Sequence, residues 1–499
     1  MDAGAISSLW PCDVGGCQLP AVQVQGNCEL CGKHLCRLHV QHQWHKCPSP
    51  ESNWKDYADQ YAAGEAQRLD ALCRQINGEK LCARASRLRG EPPIPCQVDL
   101  SPKTLSKMMG GQNCHADVVF ADGVVWIVRF RLVAPRAPPP HVRDYVLQSE
   151  ADTMKYLQLH TRIPSPRVYD WALESDPANE VGIGYILMEK LPGTPLNWQG
   201  ATAAQRRKIV QQLADIMLEI ERHPFSQLGS LIDSQATSGD ETGAATSTPS
   251  TIQVRGLAKH STSKSGINGG PLGPFRSSAS AFRAQVEAYL GMICAGEIGT
   301  AGNAVDAFLA HRFRLDNAAE DRVWGHDANP ASERFYLKHA DDKGDHILVS
   351  ADFDIVGIID WEWCATASKA EAFASPCMMW PVAAFYDGSN ALADEERLLA
   401  GALRKRGRED LADCVLRGRV VQRLLFALGP VAAAHEATKT WASLFMGMKR
   451  ALDGKGEERL GQEEEEWEQW KAQALREWKD EPLLQAVLAG GQVGVADPK

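Results

Sequence analysis

The spacing of apolar residues alternates between helical and strand-like patterns along most of the chain. Apolar positions three or four residues apart predict helices over 52–89, 147–159 and 202–221. Thr202 and Gln205 have the spacing of a capping box, which marks the start of the last helix. β-rich runs predict strands on both sides of Asp122-Gly123 and again in the segment GYILME. Because Asp-Gly is a strong hairpin signal, we expect a sheet to begin near residue 118.

Composition separates further parts of the chain. Residues 1–50 are rich in Cys and His, and residues 51–96 predict a polar, helical connector that three prolines end. Ser, Thr, Gly and Ala dominate residues 234–250 without apolar periodicity, so we expect a mobile insertion there. Tryptophans at helical spacing beside the acidic run 463–466 predict an amphipathic helix that either docks on its own domain or binds a partner.

Overall composition narrows the function classes. The 499 residues are 44% hydrophobic and 23% charged, as is typical of a globular protein. Lys and Arg total 53 against 63 Asp and Glu, and the net charge of -10 disfavours a nucleic-acid partner. No secretory signal is visible at the N-terminus, and the longest nearly apolar run, 424–434, is too short to span a membrane. We therefore expect a soluble protein of the cytoplasm or nucleus with no membrane partner.

Eight potential metal ligands lie within 36 residues near the N-terminus: Cys12, Cys17, Cys28, Cys31, Cys36, His39, His45 and Cys47. Zinc takes four such ligands in a tetrahedron, so the set predicts two zinc ions. The segment has too few aliphatic side chains for a hydrophobic core, whereas zinc binding supplies about 10 kcal/mol per site. The other eight of the 14 cysteines are scattered, which indicates a reducing compartment rather than a disulfide framework.

This spacing resembles that of the AN-one type zinc finger, a small cross-brace module. The resemblance implies that one ion is held by Cys12, Cys17, Cys36 and His39 and the other by Cys28, Cys31, His45 and Cys47. Outside these ligands the charges of the finger nearly cancel, which disfavours a phosphate-binding role. A structural role or a protein partner is the better interpretation.

The most informative stretch, residues 335–363, combines a polar loop with two short apolar strands. The strands, Ile347–Val349 and Ile355–Ile359, form a predicted hairpin. Asp341 lies in the loop that leads into the hairpin, and Asp360 directly follows the strand that leaves it. Two carboxylates brought together in this way suit phosphoryl transfer, where one orients or deprotonates a hydroxyl and the other holds magnesium.

The stretch resembles the aminoglycoside phosphotransferase and choline kinase-like family, small-molecule kinases that share the two-lobed fold of protein kinases. The resemblance runs from about residue 97 to about residue 450. It implies an α+β fold, preceded here by the finger, with a small β-rich N-terminal lobe at 97–192. A mainly helical C-terminal lobe would occupy 193–485.

The same resemblance implies the roles of individual residues. His339 and Asp341 match the catalytic-loop motif, with Asp341 as catalytic base, and Asp360 would be the magnesium ligand. Arg129 would grip the α- and β-phosphates of ATP where the family has Lys, and Glu150 would be its ion-pair partner.

Further residues of the nucleotide site follow from the resemblance. Gly111 and Asn113 would belong to the loop that covers the phosphates, and Glu189 and Leu191 to the hinge that binds adenine. His346 stands where the family has an Asn that completes the metal site. Because magnesium prefers oxygen ligands, the imidazole favours manganese or leaves one metal position empty.

Two functions follow as hypotheses. The first is an ATP-dependent phosphotransferase that acts on a hydroxyl of a small molecule and uses magnesium or manganese. The second is a weakly active or inactive pseudokinase adaptor whose finger binds a protein partner. The net acidity of the chain mildly favours a cationic acceptor, and Trp361, Trp363 and Trp380 are either core residues or an aromatic wall near it.

Overall fold

The computed structural model describes residues 8–50, 52–234, 251–266, 269–299, 302–318, 321–324, 332–425, 438–454 and 461–490. The predicted mobile insertion, residues 234–250, lies outside the described residues apart from Ser234. Residues 426–434 of the apolar run also lie outside them. Among the described residues, no helix combines the length and the apolar character that crossing a bilayer requires.

The elements follow one another as helices and short strands. The helices are α1 (Trp54–Gln75), α2 (Gly78–Arg89), α3 (Pro102–Lys107), α4 (Pro140–His160), α5 (Ala203–Glu221), α6 (Ser278–Ala295), α7 (Ala304–Asp316), α8 (Asp321–Trp324), α9 (Lys369–Ala372), α10 (Val382–Tyr386), α11 (Asp394–Lys405), α12 (Glu409–Leu425), α13 (Thr438–Asp453), α14 (Glu463–Glu477) and α15 (Pro482–Gly490). The strands are β1 (Cys96–Val98), β2 (Asn113–Phe120), β3 (Val125–Arg131), β4 (Val168–Ala172), β5 (Tyr185–Glu189), β6 (Thr194–Pro195), β7 (Ser230–Asp233), β8 (Ile252–Arg255), β9 (Phe335–Lys338), β10 (Ile347–Val349), β11 (Ile355–Ile358) and β12 (Ala365–Ser368).

Five antiparallel strands in the order β1-β2-β3-β5-β4 form the sheet of the N-terminal lobe. β2 and β3 are the predicted hairpin, with Val119 paired to Val125. Gly123 in its turn has a φ of 84°, a left-handed conformation that favours glycine. The long helix α4 connects β3 to β4, which places Glu150 beside the sheet that bears Arg129.

The two faces of this sheet are covered by different helices. Alternate residues of a strand face opposite sides, so Ile186 of β5 packs with Met154 of α4, whereas Leu187 packs with Leu69 of α1 and Leu81 of α2. The helical connector that the sequence predicts is therefore two helices whose apolar sides belong to the hydrophobic core of the N-terminal lobe.

The C-terminal lobe is mainly helical, with short strands where it meets the N-terminal lobe. β10 and β11 form the predicted hairpin, and β6 pairs with the free side of β10. β9 pairs with β12, and β7 pairs with β8. Helix α5 begins at the predicted capping box, where the Thr202 side chain accepts from the backbone N–H of Gln205. The chain thus has the predicted α+β fold of two lobes.

The tryptophans near the C-terminus belong to the core of the C-terminal lobe. Trp467 of α14 is fully buried, and its ring lies 4.8 Å from that of Phe445 and 5.3 Å from that of Trp470. The helix therefore docks on its own domain, which was one of the two interpretations of its sequence.

Replacing Trp467 with Ala should leave a large cavity and lower the free energy of unfolding by about 3 to 5 kcal/mol. Trp54→Ala is the matched control, because 67% of the Trp54 side chain is exposed and its loss should cost less than about 0.5 kcal/mol. Urea unfolding followed by circular dichroism measures both changes. Equal effects of the two substitutions would contradict this account of the core.

Candidate functional site

His339 joins the loop that carries Asp341 to the segment that carries Asp360. Its Nε2 donates to the carbonyl oxygen of Ile359 over 2.9 Å, and its Nδ1 accepts from the backbone N–H of Asp341 over 3.2 Å. Burial lowers the pKa of His339, which favours the neutral ring that this pattern of one donor and one acceptor requires. One imidazole thus links the backbone of Asp341 to the backbone of Ile359, the residue before Asp360.

Both carboxylates remain partly open to solvent. The Asp341 side chain is 37% exposed and pairs with Lys343 at 2.6 Å. Asp360 is exposed, and its φ of 61° is a left-handed conformation that costs energy for a residue other than glycine. Burial and Arg129 lower the pKa of His115 on β2, and the nearby charge of Asp360 opposes them. Asp360 therefore lies where the hairpin faces the N-terminal sheet.

His346 stacks on His339 beneath the same loop. The two ring centroids are 4.2 Å apart with an interplanar angle of 27°, and His346 is 8% exposed. Burial lowers the pKa of His346 to about 2, so its ring is neutral at physiological pH. In the described part of the chain, His346 does not join Asp341 and Asp360 in a compact group of three ligands. The effect of His346 on metal choice stays a prediction.

A closed ion network lies between the lobes. Arg129 of β3 pairs with Glu150 of α4, as the sequence predicts, and its Nη2 also lies 2.5 Å from Oε2 of Glu362. Glu362 further accepts from Arg131 and, over 2.9 Å, from Nδ2 of Asn113. The four charged residues are between 3% and 8% exposed. Burial acts to raise the pKa of Glu362, but Arg129 and Arg131 hold it below its usual value.

The sequence analysis assigned no role to Arg131 and Glu362. Their positions in the sequence could have indicated a role, because each lies two residues after a predicted site residue. Arg131 follows Arg129 on a strand, where residues two apart face the same side, and Glu362 follows Asp360. The space that this network encloses is 10 Å³, room for about one water molecule. A phosphate group reaches Arg129 only if a side chain of the network moves.

The predicted phosphate-covering loop is a tight turn before β2. The backbone N–H of Gly110 donates to the carbonyl oxygen of Asn113 over 2.8 Å. A Cβ added at Gly111 would meet no atom within 4 Å, so the space above Gly111 is open. The Asn113 side chain, in contrast, is directed to Glu362. The roles of Gly111 and Asn113 toward a nucleotide stay predictions.

The predicted hinge leaves the sheet at the end of β5. The backbone N–H of Glu189 donates to the carbonyl oxygen of Arg167 over 2.8 Å, so this donor is already used within the fold. The side chain of Leu191 covers Gly357 of β11, where an added Cβ would lie 2.7 Å from a Leu191 methyl. Leu191 thereby connects the hinge to the hairpin, and its contact with adenine stays a prediction.

A cavity of 330 Å³ lies in the C-terminal lobe directly against the predicted catalytic loop. His339, Ala340 and Asp342 of that loop line it. Trp363 and Trp380 line it as well, whereas Trp361 is a buried core residue whose indole N–H donates to Ile358. The cavity therefore offers space for a small molecule against the loop that bears Asp341, although the Asp341 side chain is not part of the lining.

The eight N-terminal ligands form two compact groups. Cys12, Cys17, Cys36 and His39 make one group and Cys28, Cys31, His45 and Cys47 the other, with the ligand atoms of each group within 4.8 Å of one another. Tetrahedral zinc separates its ligand atoms by roughly 3.8 Å. The Sγ atoms of Cys17 and Cys36 are 3.9 Å apart, and Sγ of Cys31 lies 3.5 Å from Nε2 of His45. The donor sets and their spacing fit one zinc ion each, in the grouping that the resemblance implies.

The finger contacts both lobes. Arg37 donates to the carbonyl oxygens of Ile293, Ile298 and Gly299, at 2.7, 2.6 and 2.8 Å, and so caps the C-terminal end of α6. On the other side, Glu29 pairs at 2.9 Å with Arg136, in the loop that leads from β3 to α4. The finger is therefore packed against the rest of the chain and is not a free module.

Comparison with curated proteins finds two that match one part of this chain. No protein-family model matches it. Two subtelomeric hrmA-associated cluster proteins from two strains of Aspergillus fumigatus are 34% identical to it over 103 residues. The matched segment is 20% of this chain and 19% of each relative, so the similarity covers about a fifth of their length.

Several solved structures show a distant likeness. Plasmodium vivax ethanolamine kinase is 12% identical, with a TM-score of 0.40 over 72% of this chain and 82% of that chain. Macrolide 2′-phosphotransferase of Brachybacterium faecium is 17% identical, with a TM-score of 0.36 over 77% of this chain and 99% of that chain. Likeness at this level transfers neither a substrate nor an activity to this chain.

The purified protein should contain two zinc ions per chain by elemental analysis. Cys31→Ser and Cys17→Ser each remove one of four ligands from a different group, so each variant should retain one ion. Cys73→Ser is the control, since Cys73 lies on α1 outside both groups, and it should retain two. Two ions in either ligand variant would show that the grouping is wrong.

Replacing Glu362 with Ala should lower the free energy of unfolding by about 3 to 5 kcal/mol, because it leaves two buried guanidinium groups without this carboxylate. Glu180→Ala is the control, since the Glu180 side chain is 63% exposed and pairs only with an exposed lysine. Chemical unfolding compares the two variants. A loss of less than about 1 kcal/mol for Glu362→Ala would contradict the importance given to this network.

Proposed function

We propose that the chain is an ATP-dependent phosphotransferase that transfers the γ-phosphoryl group to a hydroxyl of a small molecule. The observation that supports this best is the His339 bridge, which links the loop of Asp341 to the segment of Asp360. Phosphoryl transfer needs a carboxylate for the acceptor hydroxyl and a carboxylate for the metal that bridges the phosphates. Asp341 and Asp360 supply these two groups.

The proposed reaction assigns a task to each residue. A carboxylate oxygen of Asp341 accepts the proton of the acceptor hydroxyl while the oxygen of that hydroxyl bonds to the γ-phosphorus. The bond between the γ-phosphorus and the oxygen that bridges it to the β-phosphate breaks, and ADP leaves with those electrons. Asp360 offers the oxygen ligands that magnesium prefers, and bound magnesium would neutralise charge on the phosphates. His339 orients the Asp341 loop through its two hydrogen bonds.

The cavity against the catalytic loop is the proposed acceptor site. It is lined by Ala340 and Asp342, the residues on both sides of Asp341 in the chain, so an acceptor bound there would lie against the loop that bears the proposed base. Its volume of 330 Å³ lies within the range of small-molecule pockets, roughly 300 to 1,000 Å³.

A second candidate, the pseudokinase adaptor, is favoured by two observations. Arg129, the cation proposed to bind phosphate, already forms an ion pair with Glu362, and the space that the ion network encloses is small. On the finger, Trp44 and Leu19 are 50% and 51% exposed, which offers an apolar surface to a protein partner. The adaptor predicts nucleotide binding without turnover, or no nucleotide binding.

Asp341→Asn should reduce ATP-dependent phosphate transfer at least about 100-fold while nucleotide binding remains, because the amide cannot accept the hydroxyl proton. Asp345→Asn is the control, since Asp345 lies in the same loop, is 60% exposed and has no proposed role. Transfer is measured with radiolabelled ATP and a metabolite mixture. Equal turnover by wild type and Asp341→Asn would refute the assignment of the base.

Thermal shift with ATP and magnesium, and with ATP and manganese, distinguishes the two candidates. The phosphotransferase predicts a metal-dependent stabilisation that Asp360→Ala abolishes. A stabilisation without any transfer to a metabolite, or no shift with either metal, would favour the adaptor.

A further inference from the structure

The cavity beside the catalytic loop contains charged groups that the proposed transfer step does not use. Glu371 lines the cavity, and its carboxylate accepts no hydrogen bond from a described residue. Burial raises the pKa of Glu371, and the nearby Lys259 and Lys338 oppose that rise. Lys338 already pairs with Asp342 at 2.5 Å, so Lys259 is the cation left to face Glu371.

Lys259 and Glu371 face the same cavity without touching. No ion pair within 4.0 Å joins them in the part of the chain that the structure describes. Nζ of Lys259 instead lies 3.3 Å from Oε1 of Gln285, which also lines the cavity. A hydroxyl group fits between an ammonium and a carboxylate, because it accepts a hydrogen bond from one and donates to the other.

The other walls of the cavity suit the flat face of a ring. Four aromatic side chains line it: Phe282, Tyr289, Trp363 and Trp380. Aromatic rings offer an apolar surface to the C–H groups of a cyclic ligand, while the polar groups between them fix its orientation. The volume of 330 Å³ is at the lower end of the range for such pockets, which favours one small ring over a multi-ring compound.

The net charge of the side chains that line the cavity disfavours a polycationic ligand. Three cationic side chains, Lys259, Arg314 and Lys338, line the cavity together with two carboxylates, Asp342 and Glu371. The lining is therefore net positive although the whole chain has a net charge of -10. A polycationic ligand would gain less from this wall than a neutral one, because like charges repel in a site with little water.

We propose that the acceptor is a neutral, polyhydroxylated ring compound of the sugar type, with hydroxyl groups bound between Lys259 and Glu371 and one ring face against Trp363. This inference rests on the proposed function, because the cavity is assigned as the acceptor site of a phosphotransferase. Lys259 and Glu371 then determine specificity, whereas Asp341 performs the chemistry.

Equilibrium binding without ATP tests the cavity separately from transfer. The probes are D-glucose, D-ribose and myo-inositol as neutral polyols, and ethanolamine and hygromycin B as cationic compounds, titrated into the full-length protein by calorimetry. We expect at least one neutral polyol to bind more tightly than both cationic probes. Glu371→Gln and Lys259→Met should each weaken that binding at least about tenfold, because each removes a charged hydrogen-bond partner. Glu287→Gln, an exposed charge change on α6, should leave it unchanged.

The outcomes separate this inference from the proposed function. Tighter binding of a cationic probe, no binding of any neutral polyol, or unchanged affinity in both cavity variants would overturn the inference. Thermal unfolding of each variant shows whether a loss of binding is a loss of the fold, and rescue of affinity by Lys259→Arg would argue for a specific contact. ATP-dependent transfer to ethanolamine or hygromycin B would contradict the inference and support the function. Polyol binding without any transfer would support the ligand class and contradict the function.

Discussion

Two arginines on one strand and two glutamates from different elements share a buried site between the lobes. Glu150 comes from the helix beside the sheet, and Glu362 comes from the segment that follows Asp360 in the C-terminal lobe. Each charge is expensive to remove from water, so each is stable there only because the others are present. The network therefore couples the sheet that bears Arg129 to the segment that bears the proposed metal ligand.

The hairpin β10-β11 connects this network to the loop that bears Asp341. Ile359 at its end accepts from His339, and the backbone N–H of Ile359 donates to the carbonyl oxygen of His346 over 2.9 Å. His346 in turn stacks on His339, and burial lowers the pKa of both imidazoles. This packing gives His346 a structural task that an interpretation from metal chemistry alone does not include. The stacking on His339 also explains why the buried imidazole of His346 is compatible with its position in the fold.

The finger adds a constraint from outside the two lobes. Its eight Cys and His residues form two compact groups, and Arg37 and Glu29 attach it to the C-terminal and N-terminal lobes respectively. Zinc bound to these two groups would supply folding energy, and it would thereby connect metal occupancy to the contacts of the finger with each lobe. The contacts of Arg37 also leave less of the finger for an external partner, although Trp44 remains exposed.

Local patterns in the sequence determined a large part of this protein. The Asp122-Gly123 turn, the capping box at Thr202 and the apolar runs around residue 350 specify their elements through contacts between near neighbours, and all three predictions are confirmed. The resemblance to the zinc-finger family implied how the eight Cys and His ligands are grouped, and the two groups in the structure agree with it. The pairing of Arg129 with Glu150 was also predictable, through the family resemblance.

Only the tertiary structure decided which distant charges meet. Glu362 lies 233 residues from Arg129 and Lys259 lies far from Glu371 in the chain, and neither association leaves a periodic signal in the sequence. The charge of the cavity lining is a further example. The lining is net positive although the whole chain is net negative, because only a few of the charged residues line the cavity. Periodicity and spacing describe neighbours along the chain, but burial determines which charged groups must pair and which face an open space.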